Sequence, residues 1–182
     1  MSVEVRRAAD RFVSRHAGVV SYHCFSAGAH YDSANVSFAD VIGVDEHIVE
    51  PGAGFDWHAH RGVTIVSWVL DGALRHEDAD GEPRIVEPGE LLVQHGSGGI
   101  RHRETNASDS EALRFIQTTI LGDAAPVFDV VRASSAIGPA HIFAARGQWR
   151  IGADLLAEGD SVRTDEPVAV DGAGELLVTM LA

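Results

Sequence analysis

Two short windows of the sequence carry side chains that could bind a metal ion. The first contains His58 and His60, and the second contains His102 and Glu104, so one residue separates the members of each pair. In a β-strand, side chains at i and i+2 leave on the same face, so each pair can converge on one point. Three neutral imidazoles and one carboxylate suit a single divalent transition metal and leave coordination positions open. We therefore predict a mononuclear metal site.

The second pair is what makes this prediction specific, because a lone His-x-His is common by chance. Glycine turns stand ahead of both windows, at Gly54 and Gly99. The flanking Arg61, Arg101 and Arg103 occupy alternate positions, so they are expected to point away from the metal, toward the outside or toward acids.

The elements that would position these residues are short β-strands. From about Val36, apolar and β-branched runs alternate with turn signals rich in Gly, Pro, Asp and Asn, a pattern typical of an all-β sandwich or barrel. The first segment, Val3–Arg15, has a roughly helical apolar spacing and could equally be an irregular arm. The predicted strands are Val36–Val44, His47–Val49, Thr64–Leu70, Ala73–Glu77, Arg84–Val86, Glu90–Gln94, Arg101–Thr105 and Ala112–Ile120.

A seam near Leu121–Pro126 divides the chain into two predicted domains, residues 1–122 and 123–182. The second stretch resembles a faded repeat of the first: Arg146-Gly147 aligns with Asp71-Gly72, and Glu158-Gly159 with Pro88-Gly89. This pattern predicts a metal-binding barrel with an N-terminal arm, followed by a reduced β-domain. The second domain has no paired histidines, and its lone His141 is predicted to be structural.

Composition excludes several classes of function. The net charge of −13 comes from 27 acids and 14 bases without a basic block, which argues against nucleic-acid binding. No apolar run approaches the length of a membrane span, and the N-terminus shows no secretory signal. The single cysteine, Cys24, cannot form an internal disulfide. These features predict a cytoplasmic protein that does not associate with membranes.

The ordered motifs of residues 15 to 120 resemble the cupins, and in detail the pirin-like family. The resemblance is carried by the following segments: Ser21-Tyr22-His23-Cys24-Phe25-Ser26, Tyr31-Asp32, Pro51-Gly52-Ala53-Gly54-Phe55, His58-Ala59-His60-Arg61-Gly62, Leu70-Asp71-Gly72-Ala73-Leu74-Arg75-His76-Glu77-Asp78, Pro88-Gly89-Glu90 and Gly99-Ile100-Arg101-His102-Arg103-Glu104. It implies an all-β, cupin double-sheet barrel of bicupin-like organisation, whose second barrel is reduced and lacks a metal site. It also implies that His58, His60, His102 and Glu104 are the metal ligands, in agreement with the strand argument.

The sequence departs from the pattern of these families at several positions. Cupins in general carry a carboxylate a few residues after the second histidine, where this chain has Thr64 and Ile65, so Glu104 is expected to supply the carboxylate. Pirin-like proteins usually have Pro where Ala59 stands and Gly where Ser97 stands. The C-terminal half is also shorter than is usual in the family.

The ligand set suits Fe(II) first, then Ni, Mn, Cu or Zn. The resemblance implies an oxygenase of the quercetin 2,3-dioxygenase type, which would open a flavonol-like or other enolisable aromatic substrate with O₂. Glu104 is then the catalytic residue that takes the enol proton. The alternative is a non-catalytic protein whose metal redox state alters the surface offered to a protein partner. A weaker reading is a metal-dependent isomerase or hydrolase with the same ligands.

Aromatic side chains are the candidates for the wall of a substrate pocket, although each could simply be core: Phe25, Phe38, Trp57, Trp68 and Phe115. His23 and His76 lie in family-like segments and could reach the cavity mouth or support the ligands. For His76, a solvated position on a hairpin edge is the favoured interpretation.

Overall fold

A computed structural model describes residues 3–122 and 127–181 of the chain. Apart from one 3₁₀ turn at Ala8–Asp10, the regular elements of these residues are antiparallel strands. In chain order they are β1 Glu4–Arg6, β2 Phe12–His16, β3 Val19–His23, β4 Val41–Val49, β5 Gly54–His60, β6 Val63–Asp71, β7 Leu74–Asp78, β8 Arg84–Val86, β9 Leu91–His95, β10 Ile100–Asn106, β11 Leu113–Leu121, β12 Phe128–Ile137, β13 Ala140–Ile151, β14 Asp154–Leu156, β15 Ser161–Thr164 and β16 Val168–Met180.

The chain divides into two compact units. One unit comprises Phe12–Val36 and Ile42–Ala125, and we call it the N-terminal unit. The other, the C-terminal unit, comprises Met1–Arg11, Ser37–Val41 and Pro126–Ala182. The N-terminal arm predicted to accompany the first barrel therefore groups in part with the C-terminal strands.

The N-terminal unit is built from two antiparallel sheets. One has the strand order β5-β10-β7-β8, and the other has the order β2-β3-β4-β11-β6-β9. Side chains from both sheets form a shared apolar core, because alternate residues of each strand point inward. That core consists of Val19, Val49, Val69, Leu74, Val86, Leu92, Leu113 and Phe115.

The C-terminal unit has a single sheet of order β1-β15-β13-β16-β12, with β14 paired to β13. Its core is apolar and includes Ile142, Trp149, Leu176 and Val178, all at most 1% exposed. Arg7 fastens the first segment to this unit, since its guanidinium donates to the Asp160 carboxylate over 2.9 Å.

The turn at Gly72 shows why glycine is required there. Gly72 has a φ of +74°, and a Cβ at this position would lie 2.6 Å from the carbonyl oxygen of Ala112. Gly147, its predicted counterpart in the repeat, has a φ of +82°, and a Cβ there would lie 2.1 Å from the carbonyl oxygen of Ala173. Both turns thus require glycine, and the repeat with its reduced second barrel stays a prediction.

The all-β class is confirmed, and several boundaries differ from those predicted. Val36–Val44 and His47–Val49 are replaced by one continuous strand, β4, because Asp45 and Glu46 continue the pairing with β3. Val3–Arg15 is neither helix nor irregular arm: β1 pairs with β15, and β2 pairs with β3. Of the predicted seam, residues 123–126 lie outside the described residues. Within the described ranges, no helix is long and apolar enough to cross a membrane.

Candidate metal centre

Strands β5 and β10 bring the predicted ligands together through their register. His102 lies directly opposite His58, so both side chains project from the same face of the sheet. The register then shifts, and Glu104 pairs with Phe55, because β5 contains an extra residue at this point. Such bulges re-aim side chains and are frequent beside functional sites. Gly54 permits the close approach of the two strands, since a Cβ there would lie 2.4 Å from the Glu104 carbonyl oxygen.

Three imidazoles form a compact cluster on the inner face of this sheet. One ring nitrogen from each of His58, His60 and His102 lies within 4.8 Å of the others. The two Nε2 atoms of His58 and His102 are 2.9 Å apart. Burial, together with the neighbouring His58 and His60, lowers the pKa of His102 to about 3, so the neutral form with its free lone pair is favoured.

The hydrogen bonds of the other ring nitrogens determine where these lone pairs point. His58 donates from Nδ1 to the carbonyl oxygen of Asp56 over 2.7 Å. His102 donates from Nδ1 to Oε1 of Gln94 over 2.9 Å. Each neutral ring therefore keeps an unprotonated Nε2, and two such lone pairs facing each other repel unless a cation lies between them.

The cluster fits a bound metal on two further observations. Nε2 of His60 is buried and has no hydrogen-bond partner among the described residues. Imidazole nitrogens bind metals at about 2.0–2.1 Å, so two of them at a right angle are separated by about 2.9 Å, which matches the His58–His102 distance. These three histidines could therefore hold a metal ion.

The carboxylate of Glu104 lies deeper, with the residue only 2% exposed. Gln117 donates from Nε2 toward both carboxylate oxygens, at 3.1 and 3.0 Å. Burial raises the pKa of Glu104 to about 7, against the opposing effect of hydrogen bonds from Gln117 and Ser67. A carboxylate oxygen of Glu104 and one ring nitrogen each of His76 and His102 lie within 4.8 Å of one another. His102 therefore belongs both to this group and to the group with His58 and His60. The structure brings the four predicted ligands into adjoining groups rather than into one.

The prediction that His76 lies on a solvated hairpin edge is wrong. The residue is 3% exposed and pairs with Glu104 across β7 and β10. The sequence contained a signal for this position, since Leu74 and His76 alternate in β7 and therefore share the buried face. Burial lowers the pKa of His76, which favours the neutral ring.

Gln94 is a site residue that the sequence did not reveal. It is buried on β9 of the opposite sheet, accepts from His102, and its amide nitrogen lies 3.0 Å from Nε2 of His76. The same nitrogen donates to Oδ1 of Asp78 over 3.2 Å. Gln94 and Asp78 also line a cleft of about 420 Å³. The amide therefore orients two imidazoles at once, from a strand far away in the sequence.

The five predicted pocket aromatics are distributed differently. Phe25, Trp68 and Phe115 are at most 5% exposed, and Phe115 packs in the apolar core of the N-terminal unit. Phe38 is half-buried and forms an isolated bridge with Val41 in the C-terminal unit. Trp57 is half-buried and packs beneath two guanidinium groups.

The arginines lie as the strand alternation predicts. Arg101 and Arg103 stack over the ring of Trp57 at 4.9 and 5.2 Å, on the outer face of the sheet. Arg103 also donates to Glu77 over 2.8 Å. Arg61 is exposed and lines a shallow outer depression with Arg101.

The other histidines lie elsewhere. His23 donates from Nδ1 to Asp45 over 2.8 Å, and its Nε2 is 3.0 Å from Oγ of Ser14. His141 is 1% exposed in the C-terminal unit, as expected for a structural histidine. Cys24 is a buried thiol.

Comparison with known proteins assigns the family. The family model for pirin matches residues 3–120. The chain belongs to the pirin family. This assignment confirms the resemblance to pirins that the sequence motifs indicated. Those motifs lie in the N-terminal unit.

Among the curated relatives, a protein of Mycobacterium tuberculosis H37Rv named "Putative quercetin 2,3-dioxygenase" is 42% identical over 123 residues, which cover 68% of this chain and 50% of the relative. Quercetin 2,3-dioxygenase of Escherichia coli K12 is 32% identical over 119 residues, covering 65% of this chain and 52% of the relative. The chain thus spans about half the length of these curated relatives.

Among solved structures, the Escherichia coli pirin YhhW in complex with nickel(II) has a TM-score of 0.84 at 21% identity, and covers 98% of this chain and 99% of its own. A second YhhW structure has a TM-score of 0.85 at 21% identity, with coverage of 99% and 98%. At this identity the likeness shows the fold alone, which is that of pirins.

Proposed function

We propose that this pirin is a metal-dependent dioxygenase of the quercetin 2,3-dioxygenase type, acting on a flavonol-like or other enolisable aromatic substrate. The observation that carries the proposal is the convergence of three lone-pair imidazole nitrogens beside a buried carboxylate. His58, His60 and His102 would hold one divalent transition metal, with Glu104 as the fourth ligand. Fe(II) is the expected ion, and Ni, Mn, Cu or Zn are alternatives.

The bound metal would supply Lewis acidity toward an enolate oxygen together with a binding position for O₂. Its local charge, reduced by one carboxylate, would favour an anionic oxygen ligand. The protein's own contribution is positional. Asp56 and Gln94 orient the rings of His58 and His102, and His102 is fully buried.

Glu104 is the proposed catalytic residue. Its carboxylate is positioned by Gln117 on β11 and lies close to His102. A carboxylate in this position could accept the hydroxyl proton of an enolisable substrate, because burial raises the pKa of Glu104 to about 7 and so makes it a stronger base than an exposed carboxylate. The cleft beside Gln94 and Asp78 is a candidate route by which a small aromatic molecule would approach.

The relatives support the same chemistry. The Escherichia coli relative is named quercetin 2,3-dioxygenase, and the structure of YhhW contains nickel(II). A small aromatic substrate and O₂ are the partners that this name implies.

The test is a flavonol assay on protein loaded anaerobically with Fe, Ni, Mn or Cu. After admission of air, we expect loss of the quercetin absorbance band with matching O₂ uptake in at least one metal form. His60→Ala should abolish both signals, whereas His141→Gln, a change of a buried histidine outside the site, should retain them.

The opposite result is equally informative. If every metal form binds its metal but leaves the quercetin band and O₂ unchanged, the dioxygenase proposal is wrong. A protein partner that binds the oxidised and reduced metal forms with different affinity would then favour the regulatory alternative.

A further inference from the structure

A second group of reactive side chains lies on the other sheet of the N-terminal unit, away from the candidate metal ligands. Ser14, His23 and Asp45 project from three neighbouring strands, β2, β3 and β4. Oγ of Ser14 is 3.0 Å from Nε2 of His23, and Nδ1 of His23 is 2.8 Å from Oδ1 of Asp45. A hydroxyl, an imidazole and a carboxylate joined in this order form the hydrogen-bonded relay of a serine hydrolase.

The bonding order fixes the proton positions in the relay. The Asp45 carboxylate accepts from Nδ1 of His23, which leaves the lone pair on Nε2 facing the Ser14 hydroxyl. That lone pair can accept the serine proton as the oxygen becomes a nucleophile. The His23 and Asp45 side chains are only 11% and 20% exposed, so the base is held in place, while Ser14 is partly exposed.

The local sequence explains why Ser14 lies at an accessible edge. Ala17 and Gly18 both have positive φ values, 39° and 81°, as the two-residue turn that joins β2 to β3 requires. This turn makes His16–Val19 a hydrogen-bonded pair, and two residues back Ser14–Ser21 is another. The main-chain groups of Val13 and Arg15 therefore face away from β3, and β2 is the end strand of its sheet.

One contact confirms this orientation. His30 approaches from outside the sheet and donates from Nε2 to the carbonyl oxygen of Val13 over 3.1 Å. The amide N–H of Arg15, which follows the serine in the chain, points in the same direction as the main chain of Val13. It is thus available to stabilise negative charge that develops beside Ser14.

We propose that Ser14, His23 and Asp45 form a catalytic triad that hydrolyses small carboxylic esters. Because the triad opens at a sheet edge beside the stacked rings of Phe12 and His30, it would accept short acyl groups. This activity is independent of the proposed dioxygenase and of any metal.

The reaction balances with water as the only co-reactant. Oγ of Ser14 bonds to the ester carbonyl carbon as its proton moves to Nε2 of His23. The bond to the alcohol then breaks, and His23 returns the proton to the departing oxygen. Water repeats both steps on the acyl-serine, releasing the acid and restoring the hydroxyl.

A neighbouring pair provides a matched control. Oγ of Ser21 lies 2.8 Å from Nδ1 of His47 on the same face of the same sheet. This pair is buried, and burial lowers the pKa of His47 to about 4, so its ring is a weak proton acceptor. Ser21 and His47 therefore form a serine–histidine pair without access to substrate.

The experiment uses the full chain and a fluorophosphonate probe, which bonds to an activated serine oxygen as fluoride leaves. Trypsin cleaves after Arg11 and Arg15, so Ser14 is recovered as the only serine of the peptide Phe12–Arg15. We expect labelling of Ser14 at least tenfold above that of the exposed Ser110, with parallel hydrolysis of p-nitrophenyl acetate.

The variants separate a catalytic from a structural role. Asp45→Asn should reduce labelling of Ser14 at least tenfold, Ser14→Ala should abolish ester hydrolysis, and Ser21→Ala should leave both unchanged. Labelling of Ser14 no faster than that of Ser110 in the unaltered protein would overturn the proposal, and this measurement depends on no variant. Equal labelling in folded Asp45→Asn protein would overturn it as well. If the unaltered protein labels at Ser14 but does not turn over quercetin, that result counts against the dioxygenase proposal alone.

Discussion

The two units have similar antiparallel strands but different buried side chains. Both units consist of antiparallel strands, and both have a glycine that approaches a neighbouring strand closely, Gly72 in one and Gly147 in the other. The N-terminal interior carries a cluster of imidazoles, a carboxylate and two amides, whereas the buried polar side chains of the C-terminal interior, among them His141, Asp160 and Arg163, form no such ligand group within the described residues. Turn residues thus specify the strand framework, and a few inward positions specify the chemistry.

The largest effect on the N-terminal interior is expected from removing His102, the ligand that belongs to both groups of the candidate site. His102→Ala should reduce the metal content of the purified protein from about one equivalent to near zero, because no neighbouring side chain can replace the lost imidazole ligand. Metal analysis by mass spectrometry measures this. His141→Gln is the control from the other interior, and a folded His102→Ala protein with full metal content would refute the assignment.

The apolar core of the C-terminal unit should respond through stability instead of metal content. Trp149 is 1% exposed, so Trp149→Ala should cost about 3–5 kcal/mol in the free energy of unfolding, from lost burial and a residual cavity. Urea denaturation gives the value. Trp57→Ala, at a half-buried position on an outer face, should cost clearly less; similar costs would contradict the burial argument.

A smaller effect is expected when the ligands remain and only their support is removed. Gln94→Leu should weaken metal affinity about 10- to 100-fold, since His102 loses the acceptor that orients its ring. Competition with a chelator of known affinity provides the measurement. Gln148→Leu makes the same chemical change at an exposed position of the C-terminal unit. If both variants bind metal equally well, Gln94 does not position the site.

The lone buried histidine of the C-terminal unit predicts a dependence of stability on pH. Burial lowers the pKa of His141 to about 3 from an ordinary 6.5, so the unfolded chain takes up the proton first. Its contribution to stability is complete above about pH 6.5 and is lost as the pH falls toward about 3. His141→Gln should therefore show a smaller fall in unfolding free energy between about pH 7 and pH 5 than the unaltered protein. If urea titrations give the same fall in unfolding free energy for His141→Gln and for the unaltered protein, His141 is not the cause of the pH dependence.

The smallest change tests which residue supplies the carboxylate. Thr64 is fully buried and donates to the carbonyl oxygen of Gly122 over 3.0 Å, so it serves the framework. Thr64→Val should leave metal content unchanged and cost about 1 kcal/mol of stability. Glu104→Gln, in contrast, should weaken metal binding and abolish any dioxygenase activity. Full metal affinity in the folded Glu104→Gln protein would show that the assignment of the carboxylate is wrong.

The sequence predicted those parts of the site that depend on neighbours within one strand. His58 with His60, and His102 with Glu104, follow from the two-residue period of a strand and need no knowledge of its partners. Gln94 could not be found in this way, because it reaches His102 from the opposite sheet, and contacts between sheets leave no periodic signal. The same reason applies to Val3–Arg15, whose extended conformation depends on pairing with β15 and β3.

The position of Gln94 also links ligand binding to the mechanics of the barrel. Its side chain joins β9 to imidazoles on β7 and β10, so the two sheets are bridged at the point where the candidate metal would lie. A metal bound only by the folded protein would add its binding free energy to the cohesion of those sheets. Occupancy of the site would then determine the thermal stability of the N-terminal unit, and a shortage of the metal ion would first lower that stability.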